Sequence, residues 1–171
     1  MKNMFCLVVL IAFVTGCATT KVAEVGDKAP TFELPVVASS DSLNLDVRDG
    51  KPVVVNFWST SCSACIQELP DLNRIHNDET AVVIGIALDE DTDSVKRICQ
   101  KNDINYEVAL GTQKLFEQYD GYGIPYTLIL DKNKTIRKRF RGKASYEDMA
   151  SVLKKIETLD GSVALNDAFS D

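Results

Sequence analysis

The chain has 171 residues, 45% of them apolar and 26% charged, enough for one domain with a substantial core. Its formal net charge of -6 argues against nucleic-acid binding, which needs a basic face to neutralise phosphates. The one basic cluster, "RKRFRGK" at 137–143, reads as a solvated strand edge, where lysine and arginine discourage edge-to-edge pairing.

In chain order, "MKNMFCLVVLIAFVTGCATT" has one early lysine, an apolar run from Phe5 to Val14, and then small residues. The run is short for a membrane-spanning helix and fits a signal peptide over 1–16. "VTGC" at 14–17 resembles the lipobox of bacterial lipoproteins, which implies cleavage before Cys17 and a diacylglycerol on its sulfur. Each buried lipid methylene adds about 0.8 kcal/mol of membrane affinity. Residues 17–29 then read as a lipidated tether of small and polar residues. The resemblance implies a periplasm-facing protein of the bacterial envelope. Ala18 stands where an aspartate retains some lipoproteins in the inner membrane, so under that rule the outer membrane is expected.

"TFELPV" and "SLNLDV" alternate as half-buried strands do. "RDGK" is a turn, and "PVVVNF" at 52–57 is a β-branched run suited to a strand covered on both faces. Ile66, Leu69, Leu72 and Ile75 recur at helical spacing, so a helix starts near Cys62 and contains Pro70. "AVVIGIAL" at 81–88 is another buried strand, "TDSVKRICQKN" a helix, "NYEVAL" a strand and "QKLFEQY" a short helix. "YTLIL", "DKNK" and "TIRKRF" predict a hairpin, and "SYED" opens a last helix with a capping box. The expected domain ends near 159, with a loosely ordered tail at 160–171. The pattern predicts an α/β fold with a mixed central sheet flanked by helices.

Cys62 and Cys65, two residues apart, carry the chemistry. A structural zinc site needs four ligands, and only Cys99 and His76 remain, neither in a pair. A staple over so small a loop constrains little of the unfolded chain. A redox couple is the preferred reading, because a cysteine at a strand-to-helix junction meets the positive end of a helix, which favours a thiolate.

"VVVNFWSTSCSACIQELP" and "GIPYT" at 123–127 together resemble the thioredoxin superfamily. "VGDKAPTFELP", an insert around 89–110 and "QELP" narrow the resemblance to its TlpA/ResA-like branch of exported thiol–disulfide oxidoreductases. The resemblance implies a thioredoxin-like fold with an N-terminal hairpin and a central insert. It makes Cys62 the attacking thiol, Cys65 the resolving thiol and their disulfide the only redox group, with no metal or other cofactor. It also makes Pro125 a cis-proline that lines the partner groove with Ile124, and places Trp58 beside the site as a substrate-binding residue, with packing as its first role. Glu68 would be the acidic residue that tunes thiols or shuttles a proton, the alternative being a surface residue of the helix. The implied partners are protein disulfides and a membrane redox protein that supplies electrons, and one job in this branch is keeping apocytochrome c thiols reduced. Cys99 reads as a buried apolar thiol, and His76 carries no role. Asn56 stands where many thioredoxins have a buried aspartate, and Ser61 replaces an aromatic residue.

Two rival readings carry distinct expectations. "GDKAPTFELP" also resembles peroxiredoxin openings, but Ser59 stands in place of their threonine and the associated proline is absent. A thioredoxin-fold binding module with an inert disulfide is the other.

Overall fold

The computed structural model describes residues 22–48 and 50–160. The signal peptide, Cys17, Ala18 and the tail beyond residue 160 lie outside the described residues.

A short antiparallel hairpin, β1 (Glu33–Pro35) and β2 (Ser42–Asn44), precedes the main sheet. Then come β3 (Val53–Trp58), α1 (Ser63–Asn77), β4 (Val82–Ala87), α2 (Thr92–Lys101), β5 (Glu107–Leu110) and α3 (Gln113–Gln118). The chain closes with β6 (Tyr126–Leu130), β7 (Ile136–Arg141) and α4 (Tyr146–Asp160). The five-stranded sheet runs in the order β5-β4-β3-β6-β7. β3, β4 and β5 are mutually parallel, whereas β6 and β7 run antiparallel to their neighbours. The insert at 89–110 is thus α2 and β5, which adds a parallel edge strand.

Side chains alternate across β3 and divide the core in two. Val53, Val55 and Phe57 face the hairpin and α3, joining Leu34, Leu43, Phe116 and Tyr119. Val54 and Trp58 face the other way, where Leu69, Leu72 and Ile75 of α1 meet Met149, Leu153 and Ile156 of α4. Asn56 lies on this second face and is 1% exposed. Among the described residues, no helix is long and apolar enough to cross a membrane.

Two expectations need correction. From Val22 onward the expected tether is docked: Ala23 donates to Gln118 O (3.1 Å), Gly26 to Ile136 O (2.8 Å) and Ala29 to Lys134 O (2.8 Å). Ala23 and Ala29 are buried, because a methyl side chain lets the backbone lie directly on the sheet's first core. The basic cluster is on an edge strand, but it is not simply solvated. Arg137 is 7% exposed and donates to Asp131 Oδ2 through Nε (2.9 Å) and Nη2 (2.7 Å), while Arg139 and Arg141 both reach Asp120. Burial in this case is offset by fork-shaped, charge-assisted bonds.

The turn after α3 delivers the chain to β6. Gly121 N–H donates to Phe116 O (2.9 Å), and a Cβ on Gly121 would lie 2.1–2.6 Å from the Phe116 ring. That ring is held between Phe57 (5.2 Å) and Tyr126 (5.8 Å between centroids), so it has little room to yield. Gly121→Ala should therefore cost about 2 kcal/mol by overpacking, measured as a lower urea midpoint at unchanged slope.

Candidate active site

β3 ends at Trp58, and the chain turns through Ser59–Ser61 before α1. Asp89, just beyond β4, clamps that turn by accepting from Thr60 N (3.0 Å), Thr60 Oγ1 (2.6 Å) and Ser59 Oγ (3.2 Å). Cys62 is the N-cap of α1, and its Sγ accepts from Cys65 N–H (3.1 Å). Cys62 and Cys65 form a disulfide, with Cα atoms 5.2 Å apart. Cys62 is half-buried and Cys65 is 1% exposed, so the first cysteine is the one a partner can reach. When the bond is reduced, the amide and the helix N-terminus both favour negative charge on Cys62. Pro70 lies inside α1 on its exposed side.

The pairing of Phe57 with Tyr126 sets the start of β6 beside the end of β3. The cis Ile124–Pro125 peptide therefore lies at the same end of the sheet as the disulfide turn. Ile124 is half-buried and packs against the same cluster as Cys62, while Pro125 O accepts from Gly142 N–H (2.9 Å). Trp58 exposes none of its surface, so it packs beneath the site and does not line the groove.

Glu68 lies one helical turn after Cys65, on the buried face of α1. It is fully buried, which removes the surface alternative. Its Oε1 accepts from Thr127 Oγ1 (2.9 Å) and Ala144 N (3.4 Å), and Thr127 Oγ1 in turn accepts from Asn56 Nδ2 (2.9 Å). Burial raises the Glu68 pKa to about 7, against the opposing pull of these donors. A carboxyl with this affinity can exchange a proton near neutral pH.

Sequence reasoning passed over Asp89 and Thr127. Thr127 was within reach as the last residue of "GIPYT", but Asp89 carries no local signal because its partners lie 29–30 residues earlier. Cys99 is half-buried and its thiol is pushed up to about 11 by burial, which keeps it protonated at neutral pH. His76 stands 6.2 Å from the Tyr106 ring, at the far end of α1. Among the described residues, no group of three or more His, Cys, Asp or Glu side chains is placed to hold a metal ion.

Residues 25–139 match the AhpC/TSA family. The thiol-disulfide oxidoreductase ResA of Bacillus thuringiensis subsp. konkukian (strain 97-27) is 27% identical over 139 residues, covering 78% of this chain and 79% of the relative. ResA of Geobacillus kaustophilus (strain HTA426) is 27% identical over 166 residues, covering 92% and 95%. Among solved structures, a thioredoxin family thiol:disulfide interchange protein from Chlorobium tepidum TLS superposes with a TM-score of 0.68 at 25% identity, covering 75% of this chain and 94% of that one. A DsbF homologue from Corynebacterium diphtheriae shares the fold with a TM-score of 0.69 at 24% identity, covering 84% and 97%.

Proposed function

The chain belongs to the AhpC/TSA family, and from that premise we propose that it is a thiol–disulfide oxidoreductase that reduces protein disulfides through Cys62 and Cys65. The observation that carries this reading is the asymmetry of the couple: an accessible sulfur at a helix N-terminus, joined to a buried one with a buried carboxyl a turn away.

In the reduced enzyme, the Cys62 thiolate attacks a partner disulfide. One S–S bond forms, the partner's breaks, and the released partner sulfur takes a proton. Cys65 then attacks Cys62 Sγ and passes its own proton to the Glu68 carboxylate, freeing the second partner sulfur. Two electrons have left the dithiol for the partner, and the enzyme disulfide remains. An external dithiol must restore the reduced form, and a membrane redox protein is the donor class that suits an exported enzyme. An extended partner segment can pair along the Ile124–Pro125 loop as an added strand. The lipobox at 14–17 supports attachment to a membrane through Cys17, with the domain facing the periplasm and Ala18 favouring the outer membrane. Apocytochrome c thiols are one partner class within this reading.

The test is a Cys65→Ser chain, which can attack but not resolve. It should accumulate a mixed disulfide at Cys62 with its protein partner, identifiable by mass after non-reducing separation. Failure to trap any protein, together with a Cys62–Cys65 disulfide in the unaltered chain that resists reduction in a glutathione titration, would instead mean a binding module with an inert bond. A second reading, peroxide reduction, is favoured by the "GDKAPTFELP" opening. It requires Cys62 to be oxidised by peroxide faster than it exchanges with protein disulfides.

A further inference from the structure

Beneath the disulfide, three side chains from three elements form one chain of donors. Asn56 of β3 donates through Nδ2 to Thr127 Oγ1 of β6, and Thr127 Oγ1 donates to Glu68 Oε1 of α1, each bond 2.9 Å long. All three residues are at most 1% exposed. A hydroxyl carries a single proton. Asn56 Nδ2 donates to this oxygen and cannot accept its proton, so of the two partners only Glu68 can receive it. The Ala144 amide also points at Oε1 (3.4 Å), so a proton on Oε1 would face two donors. Oε2 is buried and has no hydrogen-bond partner.

We propose that Thr127 is a positioning residue for the redox site: its hydroxyl, aimed by Asn56, holds Oε1 of Glu68 as an acceptor and leaves Oε2 as the oxygen that gains and loses the proton. This assignment rests on the reading of Cys62 and Cys65 as a redox couple, and it names the atom through which that couple exchanges its proton. It also gives Asn56 a function. An aspartate there could only accept, and it would compete with Glu68 for the threonine proton.

A bond to Oε1 stabilises the carboxylate, so losing it raises the proton affinity of Glu68 further. The other ionisable groups facing Glu68 are Asp71 on α1, Lys143 before α4, and Tyr106 before β5, while Cys65, a turn earlier on α1, is held in the disulfide of the oxidised chain. Asp71 raises the Glu68 pKa and Lys143 lowers it, and a change at residue 127 leaves both in place.

The experiment follows the Glu68 side-chain carboxyl carbon by NMR in the oxidised full chain, across pH. Thr127→Val keeps the volume and removes the donor, and its Glu68 midpoint should rise by about one pH unit. Thr127→Ser should return it to the parent value. An unmoved midpoint in Thr127→Val, or no return in Thr127→Ser, overturns the proposal. If Thr127→Val does not fold, the infrared carbonyl stretch of protonated Glu68 decides in the unaltered chain, identified by its loss in Glu68→Gln. A low stretch means that the carbonyl is the doubly bonded-to Oε1, as proposed, and a high one that it is the unpartnered Oε2, which overturns it. Exchange with a protein disulfide is assayed in parallel. A moved Glu68 midpoint without any exchange refutes the redox reading and leaves the proton assignment standing.

Discussion

Cys62→Ser loses disulfide exchange with protein partners by at least about a thousandfold, while Cys65→Ser keeps the first attack. The asymmetry follows from position. Cys62 is partly exposed at the N-terminus of α1 and receives the Cys65 amide at 3.1 Å, whereas Cys65 is 1% exposed. A serine hydroxyl at position 62 stays protonated at neutral pH, and the same dipole and amide cannot make it a nucleophile. Stopped-flow reduction of a protein disulfide by the pre-reduced chain measures the loss. Alkylation gives an independent check, because in the reduced parent Cys62 should react with iodoacetamide well before Cys65. Equal rates at the two sulfurs would remove the basis for assigning attack to Cys62.

Glu68→Gln flattens the dependence of stability on pH. In the unfolded chain this carboxyl titrates near 4.5, whereas in the folded chain its pKa is about 7. Between those values the folded state holds more protons than the unfolded one, so stability falls as pH rises through the window. Below it and above it, this contribution is level. The full drop is about 3 kcal/mol, which is also the cost of keeping an ionised carboxylate at this buried site. Glutamine has no proton to lose and can keep its carbonyl on Thr127. Urea midpoints of the oxidised chain from pH 4 to 8 should therefore slope downward in the parent and much less in the variant. Parallel curves would mean that Glu68 ionises as an ordinary surface carboxyl.

The elements that could be read locally were those whose burial pattern is itself local. β3 and β4 each open on three β-branched residues and stay buried almost throughout because both of their faces are covered, and α1 repeats its apolar residues every three or four positions because one stripe faces the sheet. Cys62, Cys65 and Pro125 were legible for a related reason, since the turn that needs each of them is written in neighbouring residues. The segment at 22–29 misled because alanine and glycine carry no periodic signal, although their small size is what allows the backbone to dock. Arg137 misled because charge in a sequence does not show whether Asp131 will be folded back against it.

Position in the chain was sufficient to place a cysteine couple at a helix start and a proline loop opposite it. It could not say how deep any group lies. Glu68 is charged in sequence and fully buried in the fold, and its proton affinity is set by α1, β6 and the loop before α4 closing around it. Trp58 reads as a groove residue and lies wholly beneath the surface. Asn56, Thr127 and Glu68 are separated by up to 71 residues, and only the antiparallel register of β3 with β6 under α1 makes them one line of hydrogen bonds. Burial and long-range register are properties of the packed chain, and they set the proton chemistry of a site whose sulfurs were already visible in a four-residue motif.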